Sequence, residues 1–152
     1  MLSKVCSFAL SGLEGVPVEV ETDINNGLPS YELVGLPDAA VKESRERVRS
    51  ALKNSGKKFP SQKITVNLAP AEGILKATEQ LHGADLSGTV FLGELALGGD
   101  LRPVAGILPL LISAKAKGYK TFVVPAGNAK EASYIAGVTT YAAEHLKQVV
   151  AH

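Results

Sequence analysis

The feature that most constrains the fold of this chain is the order of its strand-like and helix-like hydrophobic patterns. Strands are predicted at residues 4–10 and 16–24. In the second, valines at every other position from Val16 to Val20 alternate with Pro17 and Glu19, a period of two that is typical of half-buried strands. The turn-forming residues 11–15 lie between them, so we expect an antiparallel hairpin. Strand patterns then alternate with helical ones, which predicts an α+β fold: a mixed sheet with helices packed mainly on one face.

The first helix is predicted from Asp38 to about Ser55. Asp38 can cap its first turn, and Gly56 can end it. Its apolar positions, Val48 and Leu52 among them, cover one side at 100° per residue, and most of the opposite side is basic. We therefore expect the helix to lie on the sheet and to expose its basic side to solvent.

Short elements fill the rest of the chain. Asn128 is expected to cap the helix that follows it, and Gly98 and Gly99 are expected to form a tight turn between two strands. No linker or internal repeat interrupts the pattern, so residues 1–152 form one domain. Further strands are predicted at 31–34, 63–68, 89–97, 101–104, 121–124 and 138–142, and further helices at 73–82, 107–117, 128–135 and 144–150.

Charge is unevenly distributed, although the net charge is only +1. Residues 1–38 contain six acids and one base, whereas residues 39–63 contain eight bases and two acids. Such a basic block can bind an anionic partner such as DNA, and it can equally be a solvated helix face. Both interpretations stay open. The candidate nucleic-acid-binding residues are Lys42, Arg45, Arg49, Lys53, Lys57, Lys58 and Lys63.

The common signatures of catalytic and metal sites are missing from the sequence. It contains no Walker A loop, no dinucleotide-binding glycine fingerprint and no G-x-S-x-G motif. The single cysteine, Cys6, excludes a multi-cysteine metal site and is interpreted as a core thiol, and the three histidines lack metal-ligand spacing. Lys115, a candidate base, is interpreted as a surface lysine. We therefore predict no catalytic residue, no metal ligand and no cofactor in this chain.

No apolar run reaches the roughly 18 residues that cross a bilayer. The N-terminus has neither a long apolar core nor a cleavage pattern, so no signal peptide is predicted. We therefore expect a cytoplasmic protein with no membrane partner.

Several stretches together resemble the N-terminal domain of the magnesium-chelatase-like AAA+ family, which includes the ComM-like proteins. The resemblance covers almost the whole chain. It implies a fold of the ribosomal protein S5 domain 2-like kind, shared with the proteolytic domain of Lon. The stretches that carry it are Gly27–Ser30, Val34–Arg49, Ile64–Ala71, Gly93–Val104 and Val124–Ala132.

The resemblance also implies a function. In that family this domain precedes an AAA+ ATPase module, which this chain does not include. The chain would be a non-catalytic accessory domain of a hexameric ATPase that uses ATP and Mg²⁺ and drives DNA branch migration during natural transformation. Its partners would be its own AAA+ module, sister subunits and DNA. One alternative is a subunit-assembly or protein-interaction domain without DNA contact, and another is a Lon-like Ser–Lys peptidase.

The chain departs from the family pattern at one place. Family members carry a loop and the first turns of a helix after the N-L-A-P-A motif, whereas here Glu72 is followed directly by Gly73. We expect that a loop has been left out between these two residues, and a true deletion is the alternative. Lon-like proteases keep their nucleophilic serine in that segment, and their catalytic lysine would correspond to about Leu110. Leucine cannot act as a base, so the resemblance implies a protease-like fold without protease chemistry.

Overall fold

The computed structural model describes residues 1–34, 43–67 and 85–151. These segments contain nine strands, four α-helices and a short 3₁₀ turn at Ala126–Asn128. The strands are β1 Leu2–Ser11, β2 Glu14–Asn25, β3 Ser30–Val34, β4 Lys63–Asn67, β5 Thr89–Phe91, β6 Glu94–Leu95, β7 Leu101–Arg102, β8 Thr121–Pro125 and β9 Thr139–Ala143. The helices are α1 Ser44–Asn54, α2 Ile107–Ala116, α3 Ala129–Ala132 and α4 Leu146–Ala151.

Seven of the described strands form one mixed sheet in the order β3-β4-β2-β1-β5-β8-β9. Strand β2 pairs antiparallel with both β1 and β4, and the other neighbouring pairs are parallel. The predicted N-terminal hairpin is confirmed by β1 and β2, whose pairing continues to Ser11 opposite Glu14. Strands β6 and β7 form a separate antiparallel ribbon across the predicted glycine turn. The α+β class with a mixed sheet is therefore confirmed.

Two buried clusters lie on opposite faces of this sheet. Val20 pairs with Val5, and because side chains alternate along a strand, Phe8 points to the other face. Helices α1 and α4 pack on the face of Val20, through Leu52 and Leu146 among others. Helix α2 packs on the face of Phe8. The expectation that helices pack mainly on one face is corrected here, because the two longest described helices cover different faces of the sheet.

Several predicted elements are shorter in the structure, among them the predicted strand 101–104, of which only Leu101–Arg102 is formed. The predicted strand 89–97 is divided into β5 and β6, because the chain turns out of the sheet at Gly93. A Cβ on this glycine would lie 3.2 Å from Cγ of Pro125, so the chain passes β8 closely there. Helix α3 ends at Ala132 rather than near residue 135.

Other predictions lie outside the described residues: the helix start at Asp38, the helix 73–82 and the junction of Glu72 with Gly73. Within the described segments, no helix combines the length and the apolar character needed to cross a membrane.

Candidate nucleic-acid interface

Helix α1 presents a basic flank beside the face that it buries. Val48 and Leu52 are buried against the sheet. Arg45, Arg49 and Lys53 follow one another at intervals of four residues, which places them along one side of a helix with 3.6 residues per turn. All three are exposed. The helix thus combines a core-facing side with a line of three positive charges, as its sequence pattern predicts.

Two aromatic rings support the two arginines of this flank. The guanidinium of Arg45 lies 5.9 Å from the ring centre of Tyr31, and that of Arg49 lies 5.9 Å from the ring centre of Phe59. The two rings contact each other, with centres 6.0 Å apart and planes inclined by 35°. A cation over an aromatic face is attracted by the ring quadrupole, so these contacts hold the arginines in place.

A small cleft of about 130 Å³ opens at these side chains. It lies between the start of β3, the arginine side of α1 and the segment that leads into β4. Among the described residues that line the cleft, none is acidic. We call this the arginine cleft, and it is lined by Pro29, Ser30, Tyr31, Arg45, Arg49, Phe59, Pro60, Ser61 and Gln62.

The hydroxyl of Tyr31 is buried at this cleft. Neither it nor the buried hydroxyl of Ser44 makes a hydrogen bond of good geometry. Burial raises the pKa of Tyr31, while the nearby Ser44 hydroxyl and the charge of Arg45 partly oppose the rise. The phenol is therefore neutral at physiological pH.

The remaining basic candidates are distributed around the molecule. Lys57 is half-buried and Lys58 is exposed, and both lie in the segment directly after α1. Lys63 lies on the opposite face of the sheet from α1, because its neighbour Ile64 points into the α1 cluster. Its ammonium group is 3.4 Å from a carboxylate oxygen of Glu32. Lys42 lies outside the described residues.

The structure therefore brings Arg45, Arg49 and Lys53 together on one flank, with Lys57 and Lys58 in the adjoining segment, and separates Lys63 from them. That any of these residues binds nucleic acid stays a prediction. Sequence reasoning missed Tyr31 and Phe59 as supports of the arginines. The only sequence signals at these two positions are the aromatic side chains themselves and the neighbouring Pro29 and Pro60. Neither signal shows that the rings contact arginines.

The acidic residues of the N-terminal hairpin lie away from the basic flank of α1. Lys4 on β1 binds Glu19 at 2.8 Å and Glu21 at 2.7 Å, both on the neighbouring strand. Hydrogen bonds to the two carboxylates raise the pKa of Lys4, and the same contact lowers the pKa of Glu21. These ion pairs are solvent-exposed and contribute little stability. They lie on the sheet face opposite α1, so the basic flank is not neutralised by this acidic stretch.

The position at which the resemblance to Lon would place the catalytic lysine, about Leu110, belongs to the hydrophobic core. Leu110 in α2 is only 3% exposed, and its Cα lies 3.3 Å from where a Cβ on Gly15 would be. Lys115 farther along α2 donates a hydrogen bond to the carbonyl of Ala136 at 2.6 Å, so its amine has a structural role. The one described cysteine, Cys6, is 3.3 Å from the hydroxyl of Tyr119. Within the described segments, no group of three or more histidine, cysteine or acidic residues could hold a metal ion.

Comparison with known proteins finds one family and several similar proteins. Residues 20–128 match the family described as subunit ChlI of Mg-chelatase. An uncharacterized protein of Mycobacterium tuberculosis strain H37Rv is 41% identical over 97% of this chain. Competence protein ComM of Haemophilus influenzae is 40% identical over 98% of it, and the uncharacterized protein YifB of Escherichia coli K12 is 40% identical over 99%. The chain spans only 32% of the length of each of these relatives.

The same alignments bear on the chain's internal length. They extend over 162 to 164 positions, more than the 152 residues of the chain, so the relatives contain residues that have no counterpart here. That the difference lies between Glu72 and Gly73 stays a prediction. A more distant similarity, 27% identity to Lon protease 2 of Bacillus subtilis over 67% of this chain and 22% of that protein, agrees with the predicted relation of the fold to Lon.

Proposed function

Because this chain belongs to the family of the magnesium-chelatase subunit ChlI, we propose that it is the non-catalytic N-terminal accessory domain of a ComM-like AAA+ ATPase. The whole protein would act in DNA branch migration during natural transformation or recombination, in the cytoplasm. ATP and Mg²⁺ would bind to its AAA+ module, and the domain would contact that module, sister subunits of a hexamer and DNA. The chain spans 32% of the length of ComM, and in this proposal the motor activity belongs to the AAA+ module rather than to these residues.

One observation carries the DNA contact: the line of exposed positive charges at Arg45, Arg49 and Lys53, with Lys57 and Lys58 in the segment that follows the helix. Lysine and arginine side chains bind backbone phosphates without reading the base sequence. Each neutralised phosphate releases counterions, which makes the affinity fall steeply with salt. A motor that moves along any DNA sequence needs this kind of contact.

The salt dependence of duplex binding tests the proposal. For the 152-residue chain we expect the logarithm of the association constant to fall linearly with the logarithm of the salt concentration. The double variant Lys53→Gln, Lys57→Gln should make the slope shallower by about 0.9 for each phosphate that is no longer neutralised. Lys130→Gln, which removes an exposed charge on the distant helix α3, serves as the matched control and should leave the slope unchanged. A salt-independent affinity, or equal slopes in all three proteins, would refute the DNA contact.

Two exposed leucines favour a second function, in which the domain assembles subunits without touching DNA. Leu13 at the tip of the β1–β2 hairpin is 93% exposed, and Leu28 in the following loop is 89% exposed. Burying such apolar side chains against a protein partner lowers the free energy. Sedimentation equilibrium distinguishes the two functions. Concentration-dependent oligomers that are absent in Leu13→Ser, together with no DNA affinity, would favour assembly.

A Lon-like peptidase is the third function to test. We expect no cleavage of an unfolded protein substrate, even by a version of the chain that carries a complete loop between Glu72 and Gly73. The reason is that Leu110 occupies the place of the lysine base and is buried. Cleavage by that version would overturn the non-catalytic assignment.

A further inference from the structure

The arginine cleft carries two positive charges that no acidic lining residue in the described segments balances. Arg45 and Arg49 are four residues apart on α1, and like charges at this spacing destabilise a helix. The nearest described carboxylate oxygen to Arg45 belongs to Glu46, at 3.9 Å from Nε, in an exposed pair that contributes little. Two repelling charges beside a cleft are a local conflict of the kind that marks functional sites.

The aromatic rings make this pair better suited to a ligand than two free arginines would be. The guanidinium carbons of Arg45 and Arg49 lie over the rings of Tyr31 and Phe59, each 5.9 Å from the ring centre. A cation–π contact involves the charge of the guanidinium rather than an N–H donor, so it leaves the N–H groups of both arginines available as donors. Because the rings already restrict the side chains, binding an anion costs less conformational entropy.

The size and the charge of the cleft define its ligand. About 130 Å³ is well below the roughly 300–1,000 Å³ of pockets that enclose a drug-sized molecule, so the cleft holds one small group. Two arginines match an anion of nearly two negative charges. A phosphomonoester carries about −1.5 to −2 at neutral pH and offers three acceptor oxygens, and each internal phosphodiester of a nucleic acid carries only one charge.

We propose that the arginine cleft binds a terminal phosphomonoester, through Arg45 and Arg49, in preference to an internal phosphodiester. Ser30, Ser61 and Gln62 also line the cleft and are polar residues, although the side-chain amide of Gln62 already donates a hydrogen bond to Oδ1 of Asn26 at 3.0 Å. The source of the group is the 5′-phosphate of a DNA strand end or a free mononucleotide. The first source rests on the proposed DNA function, and the second does not.

Matched oligonucleotides test this preference. A labelled ten-nucleotide single strand is titrated with the 152-residue chain twice, once with a 5′-phosphate and once with a 5′-hydroxyl. We expect the phosphorylated strand to bind about tenfold more tightly, and adenosine monophosphate to compete for this difference. Arg45→Gln and Arg49→Gln should each abolish the preference. Lys53→Gln, on the same helix flank but outside the cleft, should weaken both strands equally and preserve the preference.

The outcomes separate this inference from the proposed DNA function. Equal, salt-dependent binding of the two strands would overturn the phosphomonoester site and leave the DNA function standing. If neither strand binds but adenosine monophosphate binds and both arginine variants bind it more weakly, the site is supported and its source is a free mononucleotide rather than a DNA strand end. If the unmodified chain binds neither the strands nor adenosine monophosphate, the phosphomonoester site is refuted whether or not any variant folds, and the duplex titration decides the DNA function separately.

Discussion

The side chain of Asn128 binds the backbone of Val104 in both directions. The N–H of Val104 donates to Oδ1 at 2.9 Å, and Nδ2 donates to the carbonyl of Val104 at 3.0 Å. Asn128 is 2% exposed and makes no capping bond to helix α3, so the predicted cap is wrong. The residue instead holds the segment between β7 and α2 against the end of β8.

Removing this side chain tests that role. We expect Asn128→Ala to lower the free energy of unfolding by about 2 kcal/mol, because both backbone groups of Val104 would be left without their partner. Urea unfolding measures the change. Asn54→Ala is the control, since Asn54 donates one exposed hydrogen bond to the carbonyl of Leu97 at 3.1 Å and should cost less than about 1 kcal/mol. Equal destabilisation of the two variants would contradict the proposed role of Asn128.

Gly99 in the turn of the β6–β7 ribbon lies against the ring of His145. Its φ is +97°, and a Cβ there would lie 2.5 Å from Cε1 of that ring. The ring is fixed, because Nδ1 accepts from the N–H of Lys147 at 3.0 Å and Nε2 donates to the carbonyl of Gly98 at 3.0 Å. An added methyl group therefore meets both backbone strain and a side chain that cannot turn away freely.

We expect Gly99→Ala to lower the free energy of unfolding by about 2–3 kcal/mol, measured by urea unfolding. Gly88→Ala is the control, because Gly88 has a φ of +76° but no atom within 4 Å of the added Cβ. That variant should show only the backbone strain, about 1 kcal/mol. The prediction fails if the two variants are equally stable.

Substitutions at Leu110 test whether this position has a structural role in the core or a catalytic role. We expect Leu110→Ala to cost about 2–5 kcal/mol in thermal or urea unfolding, because it leaves a cavity under α2. Ile112→Ala on the same helix is the control, since Ile112 is 53% exposed and its replacement should change stability by less than about 0.5 kcal/mol. Leu110→Lys should unfold the domain rather than create a peptidase, because it buries an ammonium group without a partner. A folded Leu110→Lys variant that cleaves peptides would contradict this assignment.

The buried phenol of Tyr31 predicts a pH dependence. Its pKa is raised in the folded state, so at alkaline pH the folded chain holds the proton that the unfolded chain releases. Stability should therefore be complete below about pH 10 and fall as the pH rises from there through the folded-state pKa. Unfolding curves between about pH 8 and 11, with absorbance of the phenolate, measure this. Tyr31→Phe should be neutral or stabilising at neutral pH, because the hydroxyl has no good hydrogen bond, and should be less destabilised at alkaline pH.

Tyr134→Phe provides the comparison, because Tyr134 is 68% exposed and its replacement removes no buried hydroxyl. Its alkaline stability curve should match that of the unmodified chain. An unchanged alkaline destabilisation in Tyr31→Phe would assign the effect to another tyrosine. The hydrogen bond with Cys6 also raises the pKa of Tyr119, which would be the next residue to replace.

Several elements were predictable because their signals are local. Alternating valines in β2, the glycine turn at Gly98 and Gly99, and the stop of α2 before Gly118, with a φ of +94°, each depend on residues within a few positions of one another. The flank of α1 follows from helical spacing in the same way. Asn128 shows the limit of such reasoning, because an asparagine before a helix fits a cap and the fold supplied a different partner 24 residues away.

The sequence by itself therefore determined the types of most elements and the basic side of α1, because spacing and residue chemistry suffice for each. Only the tertiary structure decided that Arg45 and Arg49 lie over Tyr31 and Phe59, since those contacts join α1 to two other segments of the chain. It also decided that Lys63 faces away from them. In a strand, neighbouring side chains point to opposite faces, so the pairing of β4 with its neighbours, rather than sequence distance, places that charge.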